Sequence, residues 1–184
     1  MIESKFWREE LRSDIAWLRR HRRFKRWSER QQVLFERRLM ITAFQIRTLL
    51  DHPKVDGKVR RATMPAQLYR KVGPEPVTFM NALDFHEHFD VDNPTTLTLS
   101  ARDVCNQLIH HYVMFAFGRG LRGFDLIVVF SDFQRNAGMY ELNTGKLLDL
   151  FALFAHESSH AHHLRMTWNE KRQDYVFSTE AEAE

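Results

Sequence analysis

Trp7, Leu11, Ile15 and Leu18 recur at helical spacing between charged neighbours, which predicts an amphipathic helix over 4–22. Ser28 followed by Gln31 reads as a capping box that opens a second helix running to about Leu50, with Pro53 ending it. In that helix Phe35, Leu39, Ala43, Ile46 and Leu50 line one face, and Val33, Met40 and Phe44 line another. Burial on two sides is therefore expected. All five prolines fall between residues 53 and 94, so that stretch should hold loops and short strands such as 67–72, without a long helix. Residues 95–99 read as a short strand, and Ser100 with Asp103 as the cap of a helix reaching about Phe117.

The run 124–130 is nearly continuous, apolar and β-branched, as expected of a central strand. Asn136-Ala137-Gly138 marks a turn into a second strand over 139–142, giving a hairpin. Thr144 then caps a helix that carries a histidine-rich stretch, and Thr167 with Glu170 reads as a third capping box starting a new helix near Met166. Gly118–Gly123 spells Gly-x-Gly-x-x-Gly, but it follows a helix and precedes a strand. A dinucleotide fingerprint needs the reverse order, so this stretch is read as a turn.

These elements predict a single α+β domain over 1–184, mostly helical, with two long N-terminal helices packed on a small sheet in the order strand–helix–β-hairpin–helix. Residues 1–52 would form a helical layer, 53–94 a Pro-rich connection, 95–176 an α+β unit and 177–184 an acidic tail. A length of 184 residues with 43% hydrophobic and 28% charged positions suits one hydrophobic core. No apolar run is long enough to span a bilayer, and the N-terminus lacks the apolar stretch of a secretory signal. Cys105, on an apolar helix face, is the single cysteine. It leaves no internal disulfide and no cysteine zinc site, and it fits a cytoplasmic protein without a membrane partner.

The net charge of +3 is unevenly placed. Arg19, Arg20, Arg22, Arg23, Lys25 and Arg26 form a run without an acid, interleaved with His21, Phe24 and Trp27. Such a run could neutralise phosphates while its aromatics stack on bases, which makes nucleic acid a candidate partner and a protein surface the alternative. A solvated helix end would look the same.

Residues 156–163 read His-Glu-Ser-Ser-His-Ala-His-His and contain His-Glu-x-x-His. On a helix, His156 and His160 lie one turn apart and can share a metal ion, with Glu157 placed to deprotonate a metal-bound water. His163 is a nearby candidate for a third ligand, although it lies two turns from His156, roughly 10 Å along the axis. Further on stands Asn169-Glu170-Lys171-Arg172-Gln173-Asp174. With this second motif the chain resembles the gluzincin-type zinc metallopeptidases. The resemblance implies zinc held by His156, His160 and Glu170, Glu157 as general base, and Asp174 orienting a ligand imidazole. A zinc-dependent, peptidase-like hydrolase is therefore the leading expectation, and a non-catalytic module binding nucleic acid or protein through Arg19–Arg26 is the alternative. Two weaker constellations remain. Arg102, Asn106 and His110 form a stripe that loosely resembles HEPN-type RNases, and His86-Glu87-His88 with Asp90 and Asp92 is rich in ligand atoms but reads as a surface loop.

Overall fold

The computed structural model of the chain describes residues 4–24, 27–51, 55–118, 123–157 and 164–179. Helix α1 spans Ser4–His21 and α2 spans Glu29–Asp51. The capping box at the start of α2 is reciprocal. The Gln31 amide donates to Ser28 Oγ at 3.3 Å, and the Ser28 amide donates to Gln31 Oε1 at 2.9 Å. One face of α2 is buried through Phe35, Leu39, Ala43, Ile46 and Leu50. The second apolar face is not covered, for Val33 is 56% and Phe44 55% exposed. The expectation of burial on two sides fails because α1 and α5 pack against one flank only.

Two single-turn helices, α3 (Gly57–Arg60) and α4 (Phe85–His88), interrupt the Pro-rich region, and strand β1 (Thr63–Arg70) runs through Pro65. Strand β2 (Thr95–Ser100) leads into α5 (Ala101–Ile109), whose cap is Ser100 Oγ accepting from the Asp103 amide at 3.1 Å. This helix stops eight residues short of the expected Phe117. Residues His111–Phe117 form strand β3 instead, because a β-branched and aromatic run pairs with its neighbour more favourably than it continues a helix. Strands β4 (Leu126–Ser131) and β5 (Gly138–Asn143) make the expected hairpin. The cap of α6 (Thr144–His156) is Asn143, one residue before the expected Thr144, and its side chain accepts from the Lys146 amide at 3.0 Å.

Past α6, the expected third helix is absent. Residues Leu164–Asn169 (β6) and Asp174–Thr179 (β7) form a hairpin instead. What looked like a capping box is turn chemistry, since Asn169 Oδ1 accepts from the Arg172 amide at 3.0 Å across the loop. The architecture is α+β, but the sheet is larger and the helical share smaller than the sequence pattern implied. Five antiparallel strands lie in the order β2-β1-β5-β4-β3, beside the separate β6–β7 pair.

Side chains alternate across the five strands into two cores. Met64, Ala66, Met114, Ala116, Ile127, Val129 and Leu142 face α1, α2, α5 and α6, where they pack with Leu39, Phe151 and Phe154. Val128, Phe130 and Met139 point the other way and are covered by Val77, Ala82 and Phe89 from the β1–β2 connection. Strand β4 is therefore buried on both faces, as its composition predicts. Among the described residues no helix is long and apolar enough to cross a membrane.

Cys105 lies at the bottom of the helical core, fully buried, and desolvation pushes its thiol up to about 12 against the opposing charges of Arg47 and Arg102. A thiolate-specific reagent at pH 8 should leave it untouched in the native protein and modify it fully in denaturant. Native-state labelling as fast as that of the unfolded chain would contradict this burial.

Candidate functional site on the outer sheet face

Helix α6 ends at His156, and Glu157 is its C-cap with φ −57° and ψ 117°. The first histidine of the His-Glu-x-x-His stretch is thus the last residue of the helix, and its glutamate is the cap. His156 is exposed, while His160 and His163 lie outside the described residues. Glu157 is engaged elsewhere: its carboxylate pairs with Arg8 of α1 at 2.8 Å and accepts from the Asp56 amide ahead of α3. Both side chains of the pair are only 5% exposed. A carboxylate neutralised and buried in this way joins three segments and is not placed to take a proton from water.

Glu170 sits in the exposed β6–β7 turn, and Asp174 is the first residue of β7, where its Oδ1 accepts from the Tyr175 amide at 2.7 Å. Among the described residues no group of three or more His, Cys, Asp or Glu could hold a metal ion. The resemblance to gluzincin-type metallopeptidases is thereby overturned.

The weaker constellations also resolve into structure. Arg102 pairs with Asp51 at 2.9 Å, and Arg47 Nε donates to Asn106 Oδ1 at 3.1 Å, so this stripe of α5 fastens it to α2. Burial would raise the Asp51 carboxyl, but hydrogen bonds from Arg102 and Arg47, together with their charges, hold it below its ordinary value. His110 is the C-cap of α5. Of the His86–His88 stretch, His88 is buried with its ring edge-on to Phe89, and Asp90 accepts from Asn93 at 2.9 Å.

The basic run fares differently. Arg19 pairs with Asp149 of α6 at 2.7 Å, Arg22 is half-buried, Arg20 and Arg23 are exposed, and Lys25 and Arg26 lie outside the described residues. The aromatics of this segment are not available to bases. Trp17 stacks on His21 with ring centroids 3.6 Å apart, Phe24 tilts against Trp27, and Trp27 sits on Phe124 of the core.

Arg22 lines a cleft of roughly 470 Å³ together with Lys146, Gln67, Asn143, Asp125 and Glu141. The cleft exists because β1 and β5 separate there. Lys71 N donates to Ala137 O and Ala62 O accepts from Ala101 N, so odd-numbered residues of β1 turn their backbone groups toward β5 and even-numbered ones toward β2. The β1–β5 ladder runs from Arg70 back to Gln67 opposite Glu141. Its next rung would set Pro65 opposite Asn143, and proline has no N–H to donate. Pairing with β2 is unaffected and continues through Pro65 to Thr63. Asn143 is left to cap α6, which brings the positive end of that helix, Lys146 and Arg22 to one end of the opening.

A second cavity of roughly 370 Å³ adjoins it on the same face, walled by Phe85, Phe115, Phe117, Val128 and Met139. Glu141 lines both cavities and receives a hydrogen bond from the Tyr69 hydroxyl at 3.0 Å. The outer face thus carries two cavities that share Glu141, together a trough with polar groups of both charges at the Arg22 end and aromatic walls at the Phe115 end. Sequence reasoning missed the trough because it is assembled from strands distant in sequence. The available signals were Pro65 within a strand and the aromatic alternation of 112–117. No protein-family model, curated protein or solved structure matches the chain.

Proposed function

We propose that this protein is a non-catalytic module that binds single-stranded nucleic acid along the outer face of its sheet. The carrying observation is that Arg22 of the basic segment lines a cleft that shares Glu141 with an aromatic-walled cavity. Arginine and lysine side chains that reach phosphates, beside rings that accept base faces, form the pairing that unpaired strands need. A duplex would be held off, because its bases are stacked inward and cannot enter a cavity of this size. The polar end is close to charge balance, since Asp125 and Glu141 oppose Arg22 and Lys146. The backbone contribution is accordingly modest and rests on Arg20 and Arg23 as well as these two. The single buried cysteine agrees with a reducing compartment. The hydrolase alternative has no observation in its favour among the described residues, where Glu157 is committed to Arg8.

The test is salt-dependent binding of single-stranded RNA and DNA oligonucleotides, followed by fluorescence anisotropy. With about three phosphates neutralised, affinity should fall about 20-fold between 50 and 200 mM salt. An Arg22→Ala, Lys146→Ala double variant should lower the log–log slope by about 1.4. Absence of salt-sensitive binding, or an unchanged slope in the variant, would remove the proposal.

A further inference from the structure

We infer that the cavity beside α4 is a ligand site in its own right, taking one uncharged planar heteroaromatic ring whether that ring is free or carried on a strand. No phosphate is required, so the site stands apart from the strand reading above. The pairing registers set Phe115, Val128, Glu141 and Gln67 side by side across β3, β4, β5 and β1. Val128 is the shortest side chain of that row. The surface therefore dips between Phe115 and Glu141, which stand two strand spacings, roughly 10 Å, apart. The dip belongs to a cavity of roughly 370 Å³, lined by Val128 and Met139 of the sheet and walled by Phe115, Phe117 and Phe85. That volume lies at the small end of ligand cavities, enough for one or two fused rings and too little for a folded peptide.

Ring faces are the chemistry on offer. Phe115 is 43% exposed, and no ring of another described residue stacks on Phe85, Phe115 or Phe117. Trp17, Phe24 and Trp27, by contrast, have neighbouring rings against them. Among the described residues neither lysine nor arginine lines the cavity, so an anionic ligand would lose its hydration without a permanent counter-charge. The walls are built by the chain itself. Helix α4 is fastened to the end of β1 on both sides of Phe89, where the Val72 amide donates to His88 O at 2.8 Å and the Asp90 amide to Arg70 O at 3.0 Å. Phe89, 1% exposed, packs on Phe130 with ring centroids 5.4 Å apart. Phe85 is thereby held in position without help from an occupant, and little ordering is left for a ring to impose.

The experiment titrates the protein against the free ribonucleoside of 2-aminopurine, which is fluorescent and uncharged, at 50 and 200 mM salt. A parallel arm uses a 12-nucleotide strand carrying the same base at its centre. The expected result is saturable quenching of the free nucleoside, with half-saturation on the order of 0.1 mM and no change with salt. Binding should be about tenfold weaker in Phe115→Ala, and nicotinamide should displace the nucleoside where nicotinate does not. No quenching of the free nucleoside, with salt-sensitive strand binding retained, would overturn the ring site and leave strand binding in place. Quenching of the free nucleoside without any salt-sensitive strand binding would uphold the ring site and remove the strand reading. Equal displacement by nicotinate would overturn the preference for an uncharged ring. Circular dichroism identifies misfolding of Phe115→Ala, Phe85→Ala serves as the second wall variant, and the titration of folded wild type decides the matter if both fail to fold.

Discussion

Glu157→Ala should lower the melting temperature by on the order of 10 °C without any change of metal content. The substitution takes the Glu157 carboxylate away from the buried Arg8 side chain that pairs with it, and removes the acceptor of the Asp56 amide. Breaking one side of a buried ion pair costs about 3–5 kcal/mol, a large part of the 5–15 kcal/mol by which a domain of this size is stable. In a chain of this length each kcal/mol moves the midpoint by roughly 2–4 °C. Two further variants locate the origin of the loss. Glu157→Gln retains an acceptor for the Asp56 amide but not the charge, and should fall between wild type and alanine. Arg8→Met combined with Glu157→Leu removes both charges and should recover much of the loss, because replacing a buried ion pair by apolar groups costs less than breaking one side of it. A general base in an open cleft would behave in the opposite manner, with fold intact and chemistry lost. Thermal melts monitored by circular dichroism make the distinction, and a midpoint for Glu157→Ala within 2 °C or so of wild type would contradict the structural assignment.

Gly123→Ala should destabilise by about 2–5 kcal/mol and weaken strand binding at the same time. Gly123 has φ +66°, and a Cβ there would lie 2.0 Å from the Arg22 carbonyl oxygen. The contact is fixed from the other side by the Phe124 amide, which donates to that oxygen at 2.8 Å. Backbone cannot yield as a flexible side-chain end would, so the residues bearing Arg22 have to shift. Gly73 supplies the control, with φ +70° but nothing within 4 Å of the added carbon. Gly73→Ala should lose only the left-handed backbone preference, about 1 kcal/mol, and leave binding untouched. Denaturant melts and anisotropy titrations on the two variants measure both effects. Equal destabilisation by the two substitutions would show that conformation rather than contact sets the cost at Gly123.

How legible these features were in the sequence depends on the range of the interactions that produce them. The ends of α1, the capping boxes at Ser28 and Ser100 and the β4–β5 hairpin follow from neighbours within a few residues, and the pattern yields them. Strand β3 was misjudged because no glycine or proline separates it from α5, so only pairing with β4 reveals the change of period. The Thr167–Glu170 spacing misled for another reason, since it spans a turn that Asn169 closes by accepting from the Arg172 amide. A side-chain oxygen accepting from an amide three residues on closes a turn as well as it opens a helix. At the His-Glu-x-x-His stretch the local pattern continued a helix that tertiary contacts terminate, since Glu157 is pulled toward Arg8 and Asp56, more than one hundred residues away in the chain. The basic run was visible at once, but its aromatics proved to be packing groups, and the rings that face solvent belong to strands.

Pro65 makes the width of the trough a property of covalent structure. A gap between strands that arises from side-chain packing can zip shut when the packing relaxes, and such gaps open and close with temperature. Here the missing rung has no hydrogen to supply, because the pyrrolidine ring occupies the valence that would carry it. Thermal breathing can move the two strands but cannot complete the ladder, so the aperture stands ready before any occupant arrives and little ordering is left for binding to impose.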